Sequence, residues 1–216
     1  MPIAEDVHDQ DVPSSIDLRE PADAEHWVLT ADLKRPWRSQ LRATIAELLH
    51  RTIPPLRILE LGPGPGLLAE TILRTCQVES YTLFDFSPPM LDMCRQRLAD
   101  HATARFVLGD FTRSDWTDAL LPPFHAVVAM QAVHEVRHKR HVPRLYRRIL
   151  DLLRPGGLLV ICDHEPPDDS ARFTALHSTE PEQHAALAGA GFGQVTTHLS
   201  LNGLYLCSGT RLPIAG

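Results

Sequence analysis

The sequence predicts a doubly wound α/β domain, a mostly parallel sheet with helices on both faces. Two observations carry this expectation. The chain has 216 residues, 44% of them hydrophobic and 22% charged, which is the size and polarity of one domain with a full core. From residue 56 onward, short apolar runs alternate with amphipathic stretches. Strands alternating with helices imply right-handed βαβ units in a parallel sheet.

The first fifteen residues mix Asp, Pro, Ser and His without periodicity and read as a mobile tail. Leu41, Ile45, Leu48 and Leu49 stand at helical spacing within residues 32–51, so a helix is expected there until Pro54-Pro55 stops it. Residues 56–60 read as a strand, 67–76 as a helix and 81–84 as a strand. A helix over 88–98 carries Met90, Leu91, Cys94 and Leu98 on one face. Strands are expected at 105–108 and 126–130. Val142, Leu145, Ile149, Leu152 and Leu153 stripe a further helix, which Pro155-Gly156-Gly157 ends. Residues 158–162 read as a strand and 180–190 as a helix, and 195–199 with 204–207 as a closing hairpin about Asn202-Gly203. Residues 1–53 are thereby expected to form a tail and a helix, and 54–216 the core.

Acidic residues outnumber basic ones, 27 to 21, for a net charge of −6. A protein built to grip a phosphate backbone carries the opposite sign, so nucleic acid is not expected as a partner. Cys76, Cys94, Cys162 and Cys207 form no CxxC pair and suit a reducing compartment rather than a disulfide framework. The polar, acidic start does not resemble a secretory leader, and no apolar run approaches a bilayer's width. A cytoplasmic protein without a membrane segment is expected.

In a doubly wound sheet, ligands bind beyond the carboxyl ends of the strands, so the turns there are where chemistry is sought. The first is Glu60-Leu61-Gly62-Pro63-Gly64-Pro65-Gly66, whose glycines permit a sharp bend and close approach to a ligand. The position three after Gly64 is Leu67, so this is not the G-x-G-x-x-G of a dinucleotide site, and the Lys-Ser/Thr of a phosphate loop is missing. An acidic turn suits a cofactor carrying a positive amine or sulfonium. Asp85 ends the second strand, 19 residues beyond Gly66, where a carboxylate can accept both hydrogen bonds of a ribose diol. Asp110, after the third strand, can accept from an adenine amino group with Phe111 against the base. An Asp there is also a common helix cap.

Together these segments resemble the class I S-adenosylmethionine-dependent methyltransferases. The resemblance rests on LELGPGPG (59–66), LFDFSPPML (83–91), GDF (109–111), AMQAVHEV (129–136) and LLRPGG (152–157), with AGF (190–192) before the terminal hairpin. It implies a Rossmann-like sheet of seven strands with the last antiparallel, a core over 54–216 that binds S-adenosylmethionine, and a short helical lid ahead of it. It places Glu60, Gly62 and Gly64, with Gly66 in the same turn, at the methionyl end. Asp85 and Phe86 fall at the ribose, Asp110 and Phe111 at adenine, and Met130 and Gln131 near the sulfonium.

On this reading the chain transfers a methyl group by in-line displacement to a small-molecule acceptor, an oxygen or nitrogen nucleophile of secondary metabolism. The segment after the fourth strand reads MQAV, without the asparagine-proline signature of amide or base-amino methylation. His134 is the first candidate for a general base, with Glu135 and His164 behind it. Trp27, Arg35 and Trp37 are expected to meet the substrate from the lid. Two groups, His134-Glu135 and Asp163-His164-Glu165, could converge across the cleft, but no HxxxH or HExxH spacing supports a metal, and none is expected. The alternatives are a cofactor-binding subunit that is non-catalytic or partner-dependent, and a nicotinamide-dependent oxidoreductase. A homodimer is left open.

Overall fold

A computed structural model describes residues 10–213. Its strands are β1 (Leu56–Leu61), β2 (Val78–Asp85), β3 (Ala104–Leu108), β4 (Phe124–Met130), β5 (Leu153–His164), β6 (Phe192–Leu201) and β7 (Leu204–Arg211). They form one sheet in the order β3-β2-β1-β4-β5-β7-β6. The first five run parallel, and β7 lies antiparallel to both β5 and β6. The winding reverses between β1 and β4, so a crevice opens beyond the carboxyl ends of these two strands.

The helices are α1 (Pro21–Lys34), α2 (Arg38–His50), α3 (Leu67–Thr75), α4 (Pro88–Arg97), α5 (Val142–Leu152), α6 (Ala171–Leu176) and α7 (Glu180–Ala190). Alternate strand residues feed two cores. Ile58, Ala126, Val128 and Val160 pack with Leu41 and Ile45 of α2, Ile72 of α3 and Cys94 of α4. On the other face Leu59, Val127, Leu159 and Ile161 pack with Tyr146 and Ile149 of α5 and Leu187 of α7. Burial on both faces is why β4 reads as an almost unbroken apolar run. At the hairpin tip Asn202 and Gly203 take φ of 50° and 75°, which matches the strand twist.

The structure corrects the sequence reading in four places. Only residues 38–50 of the helix expected over 32–51 form it, while 32–34 end the unforeseen α1, and the two are parted at residues 35–37, where Pro36 interrupts the hydrogen-bond ladder. Strand β5 begins at Leu153, five residues early, and the six-residue α6 was not foreseen. Residues 10–15 are not a free tail. Val12 is buried, its N–H donates to the Arg137 carbonyl at 2.8 Å, and its own carbonyl accepts from Arg137 Nε at 2.8 Å. Residues 1–9 of the expected tail lie outside the described residues. Among the described residues no helix is long and apolar enough to cross a membrane.

Candidate active site

The crevice holds a cavity of about 770 Å³, within the range of small-molecule sites. Its floor begins at the turn after β1. Gly62 has φ +66°, and a Cβ there would stand 2.6 Å from Ala132 Cβ, so the turn lies directly against the segment following β4. Gly64 has φ +54° and faces the cavity, where a Cβ would touch the Trp27 ring with Cζ3 at 3.9 Å. Gly66 caps α3 in the left-handed conformation and faces Cys94 of α4 rather than the cavity.

Two carboxylates back this turn. Glu60 is 1% exposed, and the Tyr81 hydroxyl donates to its Oε2 at 2.7 Å. Burial pushes its carboxyl up to about 8, against the lowering effect of the tyrosine bond. Asp85 accepts from Gly64 N–H at 3.1 Å through Oδ2 and from Ser87 N–H at 2.9 Å through Oδ1. Burial raises it to about 6 despite those bonds. Ser87 accepts from Met90 N–H to cap α4 and donates to the Leu18 carbonyl, which ties a segment of the N-terminal region over Asp85. Ser14, Ser15, Ile16 and Leu18 of that segment line the cavity.

Beyond it, the Arg19 guanidinium lies 4.6 Å over the Phe86 ring and 3.4 Å from Asp110 Oδ2. Asp110 Oδ1 accepts from the Thr112 N–H and hydroxyl. Asp110 therefore opens not into the main cavity but into an adjoining one of about 580 Å³, shared with Phe86, Phe111 and Arg19.

The opposite end of the main cavity is histidine-rich. His134, in a 3-10 turn over Val133–Val136, donates through Nδ1 to Asp163 Oδ1 at 2.7 Å, while its Nε2 lies 3.4 Å from Glu135 Oε1. Burial pulls the His134 imidazolium down, but the Asp163 charge and hydrogen bond outweigh it, so the ring is held well above its ordinary value. Burial works against Asp163 too, and the His134 charge holds that carboxyl well below its ordinary value. His164 lies 2.8 Å through Nε2 from the Gln131 amide nitrogen, and burial lowers it to about 4. His177, at the C-terminal cap of α6, is lowered to about 4 by burial and then by the His134 charge. Gln131 takes φ +56° and its N–H reaches the Cys162 carbonyl at 2.6 Å. A non-glycine residue in that conformation is uncommon.

One cavity thus collects Glu60, Gly62, Gly64, Asp85, Phe86, Phe111, Met130 and Gln131 with His134, Glu135 and His164, and Trp27 of α1 with Arg35 just past its end. Gly66, Asp110 and Trp37 are not among its walls; Trp37 packs against the core instead. The sequence reading missed His177, whose lone position two residues ahead of a helix cap carries no spacing signal. It also missed Arg38, buried and paired with Asp32 at 3.0 Å.

The cavity's chemistry suits the cofactor that the resemblance implies. Gly64 presents bare backbone where a Cβ would project into the space, and Asp85 has acceptor capacity left for hydroxyl groups.

Residues 58–157 match the profile of a family described as "Methyltransferase domain". The chain is 34% identical over 143 residues to the demethylmenaquinone methyltransferase of Deinococcus radiodurans, a match covering 65% of this chain and 54% of that protein. It is 30% identical over 132 residues to the hybrid PKS-NRPS synthetase lepA of Aspergillus flavus, covering 59% of this chain and 3% of the synthetase. Among solved structures, the CMeT domain of the citrinin polyketide synthase aligns with TM-score 0.69 at 19% identity, over 87% of this chain and 56% of that one. The chain therefore spans about half of its free-standing relative and a small fraction of the synthetase.

Proposed function

We propose that the chain is a class I S-adenosylmethionine-dependent methyltransferase, the reading that its match to the methyltransferase-domain family supports, and that it methylates a small-molecule acceptor held at the histidine-lined part of the cleft. The observation that carries this reading is the sharing of one cavity by the Gly62–Gly64 turn with Asp85 and by His134, Glu135 and His164. When bound, S-adenosylmethionine supplies a methyl group on a sulfonium centre. Glu60, Gly62 and Gly64 then bound the methionyl end, and Asp85 accepts from the ribose hydroxyls. Met130 and Gln131 stand between the two ends.

An aligned nucleophile in a water-poor site needs little more than orientation, which is worth about 7–11 kcal/mol. The residues ahead of α2 act as the lid. Residues 14–18, Trp27 and Arg35 wall the cleft from that side, leaving room for a compact acceptor rather than a polymer strand. His134, anchored by Asp163 and held as the imidazolium, orients the acceptor heteroatom, an oxygen or nitrogen, and His164, kept neutral by burial, receives its proton. The relatives named for quinone and polyketide synthesis support an acceptor of secondary metabolism. Four unpaired cysteines support a cytoplasmic setting.

The test is transfer of labelled methyl from S-adenosylmethionine into a cell extract split into small-molecule, protein and nucleic-acid fractions. Label is expected in the small-molecule fraction. Label in either polymer fraction alone, or in none while the cofactor product binds, refutes the acceptor reading.

A further inference from the structure

We propose that His134, His164 and His177, backed by Asp163, bind one divalent transition ion of the zinc class. The three rings form a nearly equilateral triangle, with centroids 5.5 Å apart for His134–His164, 5.4 Å for His134–His177 and 5.4 Å for His164–His177. With a metal–nitrogen bond of about 2.0–2.1 Å and about 1.1 Å more to the ring centre, imidazoles on one tetrahedral ion have centroids about 5.2 Å apart. The rings are also fanned, at 67°, 59° and 60° to one another, as three ligands around a common point must be. Ligand atoms of His134, His177 and Asp163 lie within 4.8 Å of one another, and the His164 ring, outside that group, joins them by turning about its side-chain bonds.

Hydrogen bonding points the same way. Histidines that ligate metals commonly donate their other ring nitrogen to a carboxylate or carbonyl oxygen. His134 does this through Nδ1 to Asp163 at 2.7 Å, and the ion would replace the proton that its Nε2 turns towards Glu135 Oε1 at 3.4 Å. His164 has its Nε2 at the Gln131 amide, 2.8 Å away. With the amide oxygen turned to it, that nitrogen donates and Nδ1 carries the free electron pair. His177 is 8% exposed, and its Nδ1 is buried with no hydrogen-bond partner, a condition that buried polar atoms rarely keep.

Three imidazoles with an adjoining carboxylate suit zinc, cobalt or nickel rather than magnesium or calcium. Three protein ligands leave a fourth position open to the cavity, the arrangement of catalytic rather than structural ions. An oxygen or nitrogen of a bound molecule can fill it. The site stands on the histidine geometry and does not require the methyl-transfer reading.

The experiment strips the full chain with a chelator and titrates it with Co²⁺, following visible ligand-field absorption, with Zn²⁺ as the displacing ion. One equivalent is expected to bind. His177→Ala should weaken it at least tenfold, and Asp163→Asn by about 10–100-fold, with circular dichroism showing both variants folded. Absence of a one-equivalent signal overturns the proposal. So does Co²⁺ binding that is unchanged in His177→Ala and His134→Ala, since the ion would then sit at other histidines such as His141. Should a variant not fold, histidine-ring NMR of the wild type decides. Shifts of these three rings with one equivalent of Zn²⁺ support the site, and shifts confined to other rings overturn it.

Discussion

Cofactor binding should expel a proton from Glu60. This carboxyl is buried beneath the glycine turn with the Tyr81 hydroxyl as its hydrogen-bond partner, and burial pushes it up to about 8. Near neutral pH the free protein therefore holds it mostly protonated. A ligand that brings an ammonium group to this turn favours the carboxylate, so binding and ionisation are coupled. If Glu60 is ionised in the complex, apparent affinity for S-adenosylhomocysteine rises with pH up to about 8. Between pH 6.5 and 8 the gain is about 16-fold, or about 1.6 kcal/mol. Asp85, raised to about 6, contributes little over that window. Calorimetry in buffers of different ionisation enthalpy should show close to one proton released at pH 7. Glu60→Gln keeps an acceptor for Tyr81 and should show neither the slope nor the proton. The unliganded protein supplies the sign check. A carboxyl raised in the folded state contributes stability that is fully present below its unfolded value and lost as pH rises towards 8. Glu60→Gln should therefore resist urea better than wild type at pH 8, by a few kcal/mol. A flat affinity profile in wild type, or an equal slope in the variant, would show that Glu60 does not sense the cofactor.

Other consequences are open to direct measurement. Saturation with S-adenosylhomocysteine at a hundredfold excess over Kd should stabilise wild type by about 2.7 kcal/mol. Asp85→Ala should lose nearly all of that in thermal melts; an unchanged gain would remove Asp85 from the cofactor site. His134→Ala should cut turnover by about 10²-fold through lost orientation of the acceptor while leaving S-adenosylhomocysteine affinity intact, and full turnover would dismiss its role with the acceptor. Gly62→Ala forces a Cβ to 2.6 Å from Ala132 at φ +66°. It should cost roughly 1–3 kcal/mol, read as a Tm lowered by several degrees; an unshifted Tm would mean that the two turns can part.

What the sequence made legible follows from burial. Strand β4 is covered on both faces, so its apolar run was plain, as were the striped α4 and α5. Helix α1 was invisible because Leu29 and Leu33 point outward, 71% and 82% exposed, and it lacks the apolar face that periodicity detects. The turns bearing Asp85 and His134 were found because each follows a readable strand. His177 comes from a loop 43 residues after His134, brought there by the return of the chain through β5 and α6, which no local pattern encodes. Asp110 was recognisable as a post-strand acid, but its engagement with Arg19 depends on a segment 91 residues away.

The strap at residues 10–19 gives the molecule two unlike poles. Val12 is stitched to Arg137 and Leu18 to Ser87, which holds residues 11–18 along the rim of the cleft. Strand β7 runs the other way along the sheet. Leu204 pairs with His164 at the cleft end, and Thr210 pairs with Leu158 near the far edge. A fluorophore on Arg211 would thus leave the opening clear, whereas one on Asp11 would stand beside it.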